Sequence, residues 1–315
     1  MRKSNVFIIV LSLIFTALPL VFAQTPPQPR QEQRADESFD TKVDKPAYKK
    51  NGPKVLFDEA HNNFHTTSGR YKPFADLMTH DGYQITPNKE KFSAAVLKAY
   101  RVLVISNAQG APRTEPFEAW SNPAFTAAEC DAVRDWVKAG GSLFLIADHE
   151  PNGSANQILG SRFDIDMSKS YTIDDQNCDK ETNNGAFIIY TRESGRLADH
   201  AVTRGRNTSE QVNRIIAFTG QSLKGPPASI PFLKLADSAQ NTMPPYGSNP
   251  FVSAAGRAQG IALKFGKGRA IFLGEAAMMS AQVTPQGMLF GMNRSGIDNR
   301  QLALNIMHWL SGLLN

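Results

Sequence analysis

The sequence predicts an α/β protein with a mostly parallel sheet and helices on both faces, and three observations carry that reading. Between residues 55 and 147, apolar runs of strand length alternate with stretches of helical spacing, β-α-β-α-β-α-β, and crossovers of that kind leave the strands parallel. The runs are continuous, as over residues 143–147, which is the pattern of strands buried on both faces. Three runs end in polar residues: VLFDEAHNNFH over 55–65, GGSLFLIADHEP over 140–151 and AIFLGEAAMMSAQ over 270–282. Ligands of open α/β sheets bind at the carboxyl ends of strands, so these endings define one expected pocket.

Taken in order, residues 1–23 carry Arg2 and Lys3, an apolar stretch over 6–20, and Val21-Phe22-Ala23. These are the three parts of an export signal cut after Ala23. The stretch falls short of the ~20 residues of a spanning helix and contains Pro19, so no stable membrane span is expected after cleavage. Gln24 rather than Cys follows the cut, against a lipid anchor. Residues 24–53, rich in Pro, Gln and mixed charge, are expected to be a disordered linker. Residues 54–315 are expected to form one domain, for which a chain of 315 residues with 41% hydrophobic content suffices.

Within that domain a strand is expected over 55–57, a helix over 71–80 ended by Gly82, a strand over 83–85, a helix over 92–100 and a strand over 102–106. Thr126 caps the next helix, with Glu129 at the T-x-x-E capping-box position. Val133, Trp136 and Val137 recur at helical spacing, and Gly140-Gly141 stops the helix before the central strand. A helix begins over 156–159, and the polar stretch 164–184 reads as a surface excursion, either a lid or decoration. Short strands follow over 187–190, 214–218 and 232–235. Residues 259–265 and 270–273 make a hairpin joined by Gly266-Lys267-Gly268. A closing helix spans 299–314, with Leu302, Ile306, Trp309 and Leu310 as its buried stripe.

Composition excludes some functions. The net charge is +5, two units of which come from Arg2 and Lys3, and the rest is scattered with no basic run, so there is no footprint for nucleic acid. An exported chain permits a disulfide between Cys130 and Cys178, but nothing in the sequence brings them within bonding distance. No CxxC or Cys/His ladder marks a structural zinc. Gly220-Gln221-Ser222 lacks the second glycine of a serine nucleophile elbow.

The KVLFDEAH opening, the helix leading into KAGGSLFLIADHE, the GKGRAIFLGEAA segment and the final NRQLALNIMHWL resemble the class I glutamine amidotransferase-like superfamily. The nearer resemblance is to DUF4350 and the gliding-motility GldG/intraflagellar-transport type of domain, with ThuA-like proteins more distant. It covers most of residues 54–314 and implies a flavodoxin-like, doubly wound sandwich. True amidotransferases place a nucleophilic Cys on a sharp strand-to-helix turn, whereas the matching turn here is Ala147-Asp148-His149. The resemblance therefore implies no functional glutamine amidotransferase. Where the gliding-motility type has a GDS-like turn, this chain has Gly274-Glu275-Ala276.

Asp58, His61 and His65 follow the first strand, and on a helical turn their i, i+3 and i, i+4 spacing would put them on one side. His149 and Glu275 are the candidates for moving protons, and Asp58, His61, Asn62 and Asp148 for holding a ligand. Asp58, His61, His65, Asp148 and His149 form an oxygen-and-imidazole set of the kind that holds zinc or manganese, whose bound water would serve as nucleophile near neutral pH. The bland readings stand beside these: Asp58 bonding the Asn62-Asn63 turn, His149 bonding a backbone carbonyl, Glu59 and Glu150 pointing to solvent. The expectation is an exported domain, periplasmic or extracellular, that binds a small polar ligand such as a carbohydrate or envelope-derived compound. Metal-assisted hydrolysis is the alternative. No protein partner is specified.

Overall fold

In the computed structural model, which describes residues 33–244 and 248–315, nine strands build the central sheet. In chain order they are β1 (Lys54–Asp58), β2 (Gln84–Asn88), β3 (Val102–Ser106), β4 (Ser142–Ile146), β5 (Asp166–Met167), β6 (Leu223–Lys224), β7 (Ile230–Lys234), β8 (Ala258–Phe265) and β9 (Gly268–Leu273). The sheet order is β2-β1-β3-β4-β9-β8-β6-β5, with β7 also on β8. From β2 through β9 the neighbours are parallel, and from β9 onward every pairing is antiparallel. The expected parallel, doubly wound sheet is thus a mixed one. The first half has helical connections long enough for crossovers, while β8 and β9 are joined by a tight turn that allows only an antiparallel pair.

Helices α1 (Lys72–His80), α2 (Ala94–Leu97), α3 (Ala127–Ala139), α4 (Asn152–Gly160) and α5 (Asn299–Ser311) cover both faces, and side-chain alternation along the strands sorts the two cores. Val55, Phe57, Val102, Val104, Phe144, Ile146, Ile271 and Leu273 share one core with α1 and α5. Leu56, Leu103, Ile105, Leu143, Leu145, Ala270 and Phe272 share the other with α3 and α4. The capping box of α3 forms as its sequence requires: Thr126 Oγ1 accepts from Glu129 N (3.3 Å) and Glu129 Oε2 from Thr126 N (3.0 Å). Gly140, at φ 127°, ends α3 in a conformation that favours glycine. The closing helix stops earlier than expected, because Gly312 turns left-handed (φ 90°).

Three expectations are corrected. Residues 33–53 are not a disordered linker: Arg34–Ala35 pairs antiparallel with Ala281–Val283, and Phe39, Val43 and Tyr48 pack against the core. A few apolar anchors and strand pairing order a segment whose average composition is polar. The excursion 164–184 is woven into the fold, with Asp166–Met167 in the central sheet, Tyr171–Ile173 against Gln240–Thr242, and Cys178–Asp179 against Asn184–Thr191. Four of its polar residues, Ser170, Thr172, Asp174 and Asp179, are buried and have partners, as when Asp174 accepts from Asn177 Nδ2 (2.8 Å) and Ser238 Oγ (2.9 Å). Glu59 is likewise turned inward, accepting from Thr67 N (2.8 Å) and Lys89 Nζ (2.6 Å). Cys130 and Cys178 are buried and unpaired. The export signal and residues 24–32 lie outside the described residues, among which no helix is long and apolar enough to cross a membrane.

Candidate functional site

Strand alternation separates the candidate residues into two groups. Strands β3, β4 and β9 end in register, Ser106 and Leu273 both opposite Ile146. Ser106 follows Val104 by two, Asp148 follows Ile146 by two, and Glu275 follows Leu273 by two, so all three belong to the face of α1 and α5. Asp58 follows Leu56 by two and belongs to the opposite face, beside α3. The first strand therefore sends its carboxylate away from the other two.

On the α3 side, His61 is fully buried between two carboxylates. Its Nδ1 lies 2.9 Å from Asp58 Oδ1 and its Nε2 lies 2.9 Å from Glu129 Oε1. The rings of Phe92 (4.6 Å) and Phe125 (4.8 Å) enclose it. Asp58 also accepts from Asn63 Nδ2 (3.0 Å), as a carboxylate organising the turn after a strand does. Burial pushes the Glu129 carboxyl up, but hydrogen bonds from Thr126 and His61 outweigh it and hold the group down to about 2. Both ring nitrogens of His61 are engaged, so it offers a metal no lone pair.

On the α1 side, a cavity of about 210 Å³ is lined by His65, Arg70, Asp148, His149, Thr219 and Gln282, among others. Asp148 keeps 15% of its side chain open, and Glu275 is wholly buried. Burial pushes Asp148 up to about 7, against the opposing hydrogen bonds from His149 N and Asn107. Burial and the Asp148 charge raise Glu275 well above the usual carboxylate range, although Glu275 accepts from Ala277 N (2.6 Å) and Met278 N (2.8 Å). The pair therefore retains a proton near neutrality. Burial, with the nearby Arg70 charge, lowers His65 to about 3, so His65 enters the cavity as a neutral ring, stacked on Tyr71 at 4.5 Å and hydrogen-bonded to Ser106 Oγ at 3.0 Å. His149 stacks on Tyr171 at 4.0 Å, and its Nδ1 donates to the Glu150 carbonyl (2.8 Å).

The expected metal set is corrected by this geometry. Asp58 and His61 sit in the closed cluster and His65, Asp148 and His149 at the cavity, and among the described residues no group of three or more His, Cys, Asp or Glu is arranged to hold a metal ion. Asn62, with φ 49°, lines an adjoining groove rather than the cavity.

Several residues that build the cavity were not among the sequence candidates. Asn107, left-handed at φ 47°, accepts from Asp148 N through Oδ1 (2.9 Å), and Gln221 Nε2 donates to the Ala147 and Asp148 carbonyls (2.9 and 3.0 Å). Thr219 has φ 77°, a strained conformation for a β-branched residue. It precedes Gly220, where a Cβ would meet Gly274 O at 2.4 Å and Glu275 Cβ at 2.7 Å, so only glycine lets the two backbones close behind Glu275. The parity of residues beyond each strand was the signal available for Ser106; the others depend on long-range contacts.

No family model and no curated protein matches this sequence. Among solved structures, the chain is similar to the mmIFT52 N-terminal domain at 13% identity, over 82% of this chain and 97% of that one, with a TM-score of 0.57. It is also similar to a cytoplasmic protein from Salmonella typhimurium (10% identity, 82% and 98% covered, TM-score 0.49). A ThuA-like protein from Bacteroides uniformis matches at 13% identity, 85% and 93% covered, with a TM-score of 0.39. At these identities the first likeness shows a shared α/β fold.

Proposed function

We propose that this is an exported domain that binds a small polar, hydroxyl-bearing ligand in the cavity of His65, Asp148 and His149. The observation that carries this reading is Asp148, which lines the cavity beside His65 and His149 with 15% of its side chain open. A carboxyl group held near 7 by burial can both donate to and accept from hydroxyl groups, and a cavity of about 210 Å³ suits a ligand of monosaccharide size. Strained Thr219 beside it supports the same reading, since strain of this kind gathers at functional sites. The sequence motifs and the shared fold support a place in the class I glutamine amidotransferase-like superfamily, near DUF4350 and the gliding-motility domain. The sequence of residues 1–23 supports export, and N-terminal sequencing of protein recovered from export-competent cells should begin at Gln24.

The test is ligand-observed NMR of the purified protein with a panel of monosaccharides and their derivatives. Binding is expected for at least one hydroxylated compound, weakened at least tenfold by Asp148→Asn. Absence of binding across the panel at millimolar concentration would remove the reading. A second reading, hydrolysis, is favoured by Asp148 alone, because an acid near 7 can deliver a proton to a leaving group. It requires turnover of glycoside, ester or amide substrates that Asp148→Asn abolishes.

A further inference from the structure

Beside the cavity runs a groove of about 460 Å³ that shares Phe64 and Arg70 with it. Its remaining lining includes Asn62, Asn63 and Arg113, and no carboxylate lines it. The Arg113 guanidinium lies 4.4 Å from the centroid of Phe64 and 4.9 Å from that of Trp120. Arg70 lies over the same Phe64 ring at 4.5 Å. Among the described residues Arg113 makes no ion pair. Two aromatic rings thus hold a planar five-donor fork in place while its hydrogen-bonding edge goes unused.

Resting on the ligand-binding reading above, we propose that the ligand is a sugar acid, whose carboxylate is received by Arg113 while its hydroxyls reach Asp148 in the cavity. A guanidinium matches a planar carboxylate through two parallel hydrogen bonds, and a fork already fixed by stacking loses little freedom in forming them. A neutral sugar leaves the fork without a partner. The two halves of the site together ask for one molecule with an acidic end and a hydroxylated end.

The experiment compares galacturonate with galactose, two probes of one ring that differ in the acid, by calorimetry and ligand-observed NMR on wild type, Arg113→Gln and Arg113→Lys. Arg113 is exposed, and thermal melts of the variants serve as the folding control. The acid is expected to bind wild type at least tenfold tighter than the neutral sugar. That preference should collapse in Arg113→Gln, recover only in part in Arg113→Lys, and shrink with added salt. Equal binding of the two probes, or a preference that survives Arg113→Gln, overturns this inference and leaves the ligand-binding reading standing. Binding of neither probe overturns the sugar-acid assignment, and the wider panel then decides the reading beneath it.

Discussion

Asp58 and Asp148 both follow an apolar strand of the same parallel sheet, and they end in opposite circumstances. Asp58 is fully buried and engaged by His61, Asn63 and the backbone of Ala60, and across His61 it faces a carboxylate that also serves as a helix capping group. Asp148 stands at a cavity beside a second carboxylate, with the His149 Nε2 no nearer than 3.9 Å. The first cluster is a solved electrostatic problem: one imidazole between two acids, every lone pair assigned. The second leaves two buried acids competing for a proton. Hydrogen-bond satisfaction, more than residue type, separates a group that holds the fold from one open to a ligand.

The comparison would break most sharply at His61. His61→Ala leaves Asp58 and Glu129 buried without their shared partner and is expected to cost about 3–5 kcal/mol, read by urea denaturation. A cost below about 1 kcal/mol would mean that the cluster contributes little to the fold.

The pH dependence of stability should separate the two clusters by sign. Asp148 titrates near 7 when folded against a usual 3.8, so the folded state holds the extra proton. Its contribution is complete at low pH and is lost as pH rises from about 4 to 7, by roughly 2–4 kcal/mol. Glu129, held near 2 against a usual 4.5, acts the other way, and its contribution is lost as pH falls through that interval. Asp148→Asn should flatten the upper limb and leave the acid limb in place, and an unchanged upper limb would assign it to other groups.

Thr219→Gly should relieve the positive φ and stabilise the protein by about 1 kcal/mol, measured by thermal melting, while weakening any ligand that depends on the preformed wall. The smallest effect is expected at His149→Ala, which removes the stack on Tyr171 for about 0.5–1 kcal/mol. That variant should lose affinity more than stability, and the reverse order would make His149 a packing residue.

The elements that set up this contrast were legible where local rules suffice. The run over 102–106 became β3 at the expected ends, and the Thr126/Glu129 capping box and the hairpin at Gly266 formed as read. The mixed half of the sheet was less legible, because β5, β6 and β7 are two to five residues long and are fixed by pairing partners far along the chain. At the candidate site the strand ends were visible, and Asp148, His149, Glu275 and His65 do gather on one side. The i, i+3 count rightly joined Asp58 to His61, but His65 and Asp148 lie elsewhere, and counting by twos along β1 would have set Asp58 beside Leu56 and away from them. Asn107, Gln221 and Thr219 carry no local mark, since their roles arise from contacts across the fold.

The short strand Arg34–Ala35 has a practical consequence. Gln33 lines the cavity, and the strand after it is held by a two-residue pairing with Ala281–Val283, next to Gln282 of the same wall. A fluorophore on Gln33→Cys would therefore sit at the rim of the site and signal its filling by a change in brightness, with the buried thiols of Cys130 and Cys178 shielded from the label. At the other end of the chain, Arg269 bonds the carbonyls of Trp309 and Leu314, and a surface anchor attached there would leave that reporter clear.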